Sequence, residues 1–87
     1  MFKLRYDEKL WRGFHMTFDN GYTLSVQWGY GNYCENRHQA RDESVTAEIA
    51  VIKPNGDFMR LEGEGDDVVG WQTPDDVAQL MAYVAGL

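Results

Sequence analysis

Two alternating segments on either side of Asp19-Asn20-Gly21 constrain the fold more than any other part of the chain. In residues 13–18 and again in residues 22–28, apolar side chains alternate with polar ones, which is typical of half-buried β-strands. A two-residue turn would set apolar side chains beside polar ones, whereas a three-residue turn closed by Gly21 in the left-handed conformation aligns one apolar face. The sequence therefore predicts a three-residue hairpin. Its pairs would be Phe18 with Tyr22, Met16 with Leu24, and Phe14 with Val26.

A second hairpin is indicated by Pro54-Asn55-Gly56, which follows a run rich in β-branched residues at 44–53. Proline suits the first position of such a turn and glycine suits the last. The predicted pairs are Ile52 with Phe58, Val51 with Met59, and Ile49 with Leu61. Both faces then carry apolar groups, so the second face (Ala50, Ile52 and Phe58) is either covered by the N-terminal segment or forms a contact surface. The residues leave open whether that segment, FKLRY, is a strand or a cover.

The segment Thr73-Pro74-Asp75-Asp76 is typical of a helix start, with an N-cap, a proline at the first helical position and two acids in the first turn. The helix is expected to continue to about Ala85 and to end at Gly86. It carries one apolar stripe at helical spacing, formed by Val77, Leu80, Met81 and Val84. Trp71 is expected to pack on Val77 as a staple residue or to join a neighbouring binding surface.

These elements predict one α+β domain over residues 1–87, a four-stranded antiparallel sheet made of two hairpins with the C-terminal helix packed on one face. The helix stripe would meet Phe14, Met16, Phe18, Leu24, Val26 and Val51. Since 44% of the residues are apolar, the chain can build one core without a metal or a disulfide, and we expect no cofactor. A single cysteine, no signal-peptide pattern and no apolar run of ~20 residues predict a soluble cytoplasmic protein that does not insert in membranes.

Charge is divided unevenly along the chain. Residues 1–41 hold six Lys or Arg against four acids, whereas residues 42–87 hold two against ten, and the net charge is −6. An acidic patch is predicted at Glu62, Glu64, Asp66 and Asp67. Repulsion from phosphate disfavours nucleic acid as a partner of this half, whereas a basic protein would be attracted to it. The alternative is a solvated acidic loop that keeps a small protein soluble.

The connection WGYGNYCENRH, residues 28–38, combines aromatic rings, glycines and charged groups. Tyrosine, tryptophan and arginine dominate binding hot spots, so we interpret this segment as a binding loop. The candidate contact residues are Trp28, Tyr30, Asn32, Tyr33 and Arg37. The alternative is that the tyrosines cap the open end of a small core.

Cys34 raises two chemical hypotheses. Cys34, His38 and Asp42 have the spacing of one helical face, but glycines just before them favour irregular backbone and a structural zinc site usually needs four Cys or His ligands. A nucleophilic thiol would need His38 or His15 as its base. We favour a buried cysteine that anchors the loop, and we predict no catalytic residue and no metal site. The acidic patch also lacks the D-x-D-x-D-G pattern of a calcium loop.

The stretch DNGYTLSVQWGYGNYCENR resembles a segment of small proteins of unassigned function encoded by bacteriophages and prophages, over residues 19–38. In those proteins an N-G-x-T-(V/L)-S-V-Q-like strand leads into a G-x-G-N-Y-C-x-N-R loop. The resemblance implies a phage-encoded accessory protein in a bacterial host cytoplasm, and by analogy one that binds and modulates a host protein, including defence systems. It implies no activity for particular residues.

The sequence therefore predicts a non-enzymatic binding module with a protein partner. Two alternatives stay open: a small enzyme using Cys34 with a histidine, and a self-assembling accessory protein, such as a homodimer, that uses exposed sheet edges.

Overall fold

The computed structural model describes residues 1–39, 41–61 and 67–87, which form one antiparallel sheet and one helix. The elements are β1 (Phe2–Tyr6), β2 (Trp11–Thr17), β3 (Thr23–Gly29), β4 (Ala47–Ile52), β5 (Phe58–Met59), β6 (Val68–Gln72) and α1 (Pro74–Ala85). The strand order is β1-β2-β3-β4, and β5 and β6 both pair with the remaining edge of β4. The α+β class is confirmed, but the predicted count of four strands is wrong, because the N-terminal segment and residues 68–72 add β1 and β6.

The first hairpin has the predicted register. Phe14 pairs with Val26 and Met16 with Leu24. The amide of Phe18 donates to the carbonyl of Tyr22 at 2.9 Å, and Gly21 closes the turn with a φ of +88°. That left-handed conformation is the one that glycine adopts without a steric penalty.

The register predicted for the second hairpin is confirmed next to the turn and is wrong farther from it. Ile52 pairs with Phe58 and Val51 with Met59, as predicted. The third predicted pair is not formed, because β5 ends at Met59 and Ile49 pairs instead with Val69 of β6. Leu61 turns its side chain into the core. The N-terminal segment does not cover the Ala50, Ile52 and Phe58 face, because β1 lies at the opposite edge of the sheet.

The core lies between one face of the sheet and α1. Its buried members are Leu24, Val26, Ala47, Ile49, Val51, Leu61, Val77 and Val84. The helix stripe is confirmed, since Leu80 and Met81 pack against this cluster. The helix start is also confirmed: Thr73 Oγ1 accepts from the Asp76 amide at 3.2 Å, and Asp76 Oδ2 accepts from the Thr73 amide at 3.0 Å. Among the described residues, no helix is long and apolar enough to cross a membrane.

Asn20 joins the first hairpin turn to the C-terminal end of α1. Its Oδ1 accepts from the Tyr22 amide at 3.0 Å, as in an Asx turn. Its Nδ2 donates to the carbonyl of Val84 at 2.8 Å, with longer contacts to the carbonyls of Ala85 and Leu87. The last carbonyls of a helix lack the amide partners of the helix interior. This side chain supplies a donor from a distant turn, in addition to the Leu87 amide, which donates to the Val84 carbonyl at 3.2 Å.

We expect Asn20→Ser to lower the free energy of unfolding by about 1–2 kcal/mol, because serine can serve the turn but cannot reach the helix carbonyls. The measurement is urea denaturation. Asn55→Ser is the matched control, because Asn55 accepts from the Asp57 amide at 2.9 Å in the same way but has no described contact with α1. Equal losses in the two variants would contradict this role for Asn20.

Candidate functional site

β6 contains a β-bulge where it pairs with β4. The flanking pairs are Ile49 with Val69 and Ala47 with Gln72. Gly70 and Trp71 therefore share the position opposite the single residue Glu48, and Trp71 takes a positive φ of 59°. A left-handed conformation at a residue with a bulky side chain costs about 1–3 kcal/mol, so the surrounding contacts must hold it in place.

The loop after β3 docks onto this bulge. The amide of Tyr33 donates to Glu48 Oε2 at 2.8 Å, and the carbonyl of Tyr33 accepts from the Trp71 amide at 2.8 Å. Gly70 lies directly against Tyr33, and a Cβ at position 70 would overlap the Tyr33 Cβ and lie 2.8 Å from its carbonyl oxygen. The carbonyl of residue 33 thus accepts from an amide that lies at the bulge in the β4–β6 ladder, and the amide of residue 33 is bound by the side chain opposite the bulge. We call residues 30–39 the docked loop.

Small polar side chains hold the docked loop from within. Asn36 is buried, and its side chain accepts from the Gly29 amide at 2.9 Å and donates to the Glu43 carbonyl at 2.8 Å. Asn32 is also buried and donates to the Trp28 carbonyl at 3.1 Å. Because these amides satisfy buried backbone groups, the loop has a defined conformation and the larger side chains face outward.

Three of the outward side chains form a cluster. The guanidinium carbon of Arg37 lies 5.7 Å from the ring centroid of Tyr33 and 5.9 Å from that of Trp71. Both distances are within the range of cation-π attraction. The Tyr33 and Trp71 side chains are 51% and 50% exposed. We call Tyr33, Arg37 and Trp71 the aromatic-arginine cluster.

The other candidate contact residues lie elsewhere. Tyr30 is exposed, and its amide donates to the Leu10 carbonyl at 2.7 Å, beside the β1–β2 turn. Arg37 lies over the ring of Tyr33 and not over that of Tyr30. Asn32 is buried inside the loop. Trp28 packs against the core, and its Nε1 donates to the Asp42 carbonyl at 3.0 Å. Asn32 and Trp28 therefore support the loop from its buried side.

Trp71 joined the cluster although it is distant from Tyr33 in sequence. Its ring is half exposed beside Arg37. Of the two positions predicted for Trp71, it therefore takes the one in the neighbouring binding surface. Gly70 and Glu48 also support the site, and neither was predicted from the sequence. The available signal was a glycine within the strand-like run VVGWQ, because glycine inside a strand marks a bulge or a close backbone approach. Identifying which backbone approaches requires the tertiary structure.

Cys34 belongs to the docked loop and is completely buried. Its sulfur lies 3.2 Å from Asn36 Oδ1 and 3.7 Å from the Gly29 carbonyl, so the thiol is a hydrogen-bond donor within the loop. His38 is exposed, and Asp42 pairs with Arg12 at 2.8 Å. No group of three His, Cys, Asp or Glu side chains within the described ranges could hold a metal ion. The geometry matches a cysteine that anchors the loop.

Two further features lie outside the cluster. A groove of about 480 Å³ runs between α1 and residues 43–47, and Trp28, Val77 and Met81 are among the mainly apolar residues that line it. Of the predicted acidic patch, Glu62, Glu64 and Asp66 lie outside the described residues, and Asp67 is exposed.

His15 lies on β2, on the sheet face opposite α1, where it pairs with Lys3 on one side and Ser25 on the other. Partial burial lowers its pKa below the ordinary value of 6.5, and the positive charges of Arg5 and Lys3 lower it further. The positive charges of β1 therefore add to the effect of burial on this face.

A scan against protein-family models finds no match for this chain, and neither the curated proteins nor the solved structures contain a match.

We expect Gly70→Ala to undock the loop, because the added Cβ would overlap backbone and Cβ atoms of Tyr33, which cannot move without breaking the hydrogen bonds of residue 33. The readout is the labelling rate of Cys34, the single cysteine, by an aromatic disulfide reagent. Labelling should accelerate roughly tenfold or more, which corresponds to about 1.4 kcal/mol of lost loop stability. Gly86→Ala is the control, since a Cβ there meets nothing nearer than 3.6 Å. Unchanged labelling in Gly70→Ala would contradict the docking.

We expect the free energy of unfolding to fall as the pH drops below about 6.5, in part because of His15. The pKa of His15 is lower in the folded chain than in the unfolded chain. As the pH falls, the unfolded chain therefore binds the proton at a higher pH and is stabilised relative to the folded chain. His15→Gln cannot titrate and should remove this component. Urea denaturation at several pH values should show a difference between the wild type and His15→Gln that is constant above about pH 6.5 and changes below it. A pH-independent difference would contradict the lowered pKa.

Proposed function

We propose that this protein is a non-enzymatic binding module whose contact surface for a protein partner is the aromatic-arginine cluster. One observation carries the proposal: the docked loop, whose interior is hydrogen-bonded, holds Tyr33 and Arg37 beside Trp71 of β6, so that the arginine lies within 6 Å of two half-exposed aromatic rings. Aromatic residues and arginine are the types that contribute most to binding at protein interfaces.

The arrangement would reduce the cost of binding. Ordering a flexible loop or a long side chain at an interface costs about 0.5–1.5 kcal/mol for each group immobilised. Here the backbone of Tyr33 is already fixed on both sides by Glu48 and Trp71. The strained φ of Trp71 places its ring beside Arg37, and strain of this kind is concentrated at functional positions.

The chemistry of the cluster indicates what a partner must offer. Tyr33 and Trp71 supply flat apolar surface, and Arg37 makes no ion pair with a described residue. A complementary surface would present apolar side chains around a carboxylate, since arginine binds carboxylates with two parallel hydrogen bonds. The net charge of −6 would favour a partner that is basic outside that contact.

The resemblance of residues 19–38 to phage-encoded proteins supports a biological setting for this proposal. We propose that the partner is a host protein in the bacterial cytoplasm, with a component of a defence system as one class of target. Support for the setting comes from the strand and loop sequence of residues 19–38 alone, whereas the proposed contact surface rests on the geometry of the cluster.

The test is an affinity capture from bacterial lysate with three proteins in parallel: the wild type, a cluster variant and a control variant. The cluster variant carries Tyr33→Ala, Arg37→Ala and Trp71→Ala. The control variant carries Phe58→Ala, Arg60→Ala and Tyr83→Ala, which removes two exposed aromatic rings and an arginine from other parts of the surface. Each retained protein would be identified by mass spectrometry and its affinity then measured with purified components.

We expect a partner that the wild type and the control variant retain and that the cluster variant loses, with an affinity at least about 100-fold weaker, because hot-spot residues each cost about 2 kcal/mol or more on truncation. Circular dichroism must show that all three proteins are folded. A partner retained equally by the cluster variant would contradict the proposal.

A further inference from the structure

β1 forms one complete edge of the sheet, and its outward backbone groups are unpaired within the described structure. Met1 and Thr17 exchange both of their backbone hydrogen bonds at 2.8 Å, and the Asp7 amide donates to the Trp11 carbonyl at 2.8 Å. In an antiparallel pair, residues alternate between positions that bond to the partner and positions that point away from it. The N–H and C=O groups of Phe2, Leu4 and Tyr6 therefore point away from β2.

The side chains of β1 divide into two classes by face. Phe2 pairs with Met16 and Leu4 with Phe14, so both lie on the face that carries the core, yet they are 78% and 77% exposed. Tyr6 is on the same face. Phe2, Leu4 and Tyr6 thus form an apolar row at an open edge, the arrangement that sheet proteins usually avoid because it pairs with other strands.

The opposite face of β1 is positively charged. Lys3 and Arg5 make no ion pair with a described residue, and Arg5 Nε is buried without a hydrogen-bond partner. Partial burial lowers the pKa of His15 on the neighbouring strand, and both charges lower it further. The other arginine near this edge, Arg12, differs because Asp42 binds it at 2.8 Å. An excess of positive charge thus collects at one edge of a protein whose net charge is −6.

We propose that β1 is a strand-addition site for an extended segment of another protein in which apolar and acidic residues alternate. The backbone of the segment would pair with the outward groups of Phe2, Leu4 and Tyr6. Its apolar side chains would lie beside the apolar row of β1, and its carboxylates would lie beside Lys3 and Arg5. Main-chain bonds supply affinity in this mode of recognition, and the alternating side chains supply specificity.

Charge complementarity decides between this occupant and a second copy of the chain. In an antiparallel pairing of two β1 strands centred on Leu4, Lys3 of each copy would lie directly opposite Arg5 of the other. Like charges placed opposite each other on one face of a sheet are destabilising. Carboxylates at the same positions are attracted.

The probes are two synthetic seven-residue peptides with blocked termini, one alternating valine and glutamate and the other alternating valine and lysine. Binding to the full chain is followed by amide chemical shifts in NMR titrations. We expect the glutamate peptide to shift the amides of residues 2–6 and to bind at least about tenfold more tightly than the lysine peptide. In the double variant Lys3→Glu, Arg5→Glu this preference should reverse. Binding of neither peptide, or equal binding of both, would overturn the proposal.

A second variant tests the backbone contact. Leu4→Pro removes an outward N–H and leaves the β1–β2 ladder intact, since proline is tolerated on the free edge of a sheet. It should abolish binding of the glutamate peptide, whereas Leu4→Val should retain it. Should Leu4→Pro also detach β1 in the NMR spectrum, the charge-reversal variant decides the matter. Sedimentation showing a wild-type dimer that Leu4→Pro dissociates would make a second copy the occupant and overturn the proposal.

Discussion

The pairing of β3 with β4 is the interaction on which the other parts of the structure depend. Leu24 lies opposite Val51 and Val26 opposite Ile49, and all four side chains are buried. Burying a side chain of this size contributes about 1.5–3 kcal/mol, so these two cross-strand pairs form the centre of the core. They join the two hairpins into one sheet and provide the surface on which α1 packs. The docked loop leaves from the end of β3, and β6 is held by the far edge of β4.

The candidate site lies at the edge of β4, where the regular β4–β6 pairing is interrupted by the bulge in β6. The bulge in β6 removes hydrogen bonds from the ladder, and those groups would be costly to bury without partners. The peptide group of Tyr33 supplies the partner for Trp71, and Glu48 supplies the partner for the Tyr33 amide. The aromatic-arginine cluster is thus exposed because these backbone hydrogen bonds fix Tyr33 and Trp71 with their side chains outward. A site on such a support keeps its geometry without a partner present.

Local pattern was sufficient to predict much of the fold. The register of the first hairpin followed from alternation and one glycine, and the helix followed from its cap and its apolar stripe. β6 was missed because VVGWQ has no alternation. Its glycine is a signal for a bulge, but the strand that it pairs with and the backbone that approaches it are given only by the tertiary structure. Tyr33 and Arg37 could be selected by residue type, but Trp71 meets them through a long-range contact. The buried amides of Asn32 and Asn36 were equally inaccessible, because an asparagine in a loop gives no sign of which backbone groups it will bond.

Native-state hydrogen exchange at the amides of Tyr33 and Trp71, compared with amides of β3, tests directly whether the docked loop is held in place. We expect strong protection at both positions, because each amide donates a bond that fixes the docked loop to β4 and β6. Protection should approach that of the sheet and exceed that of exposed amides at the loop surface. Exchange of both amides at the rate of an unstructured peptide would show that the loop is not held, and the aromatic-arginine cluster would then lack the fixed support on which its proposed function rests.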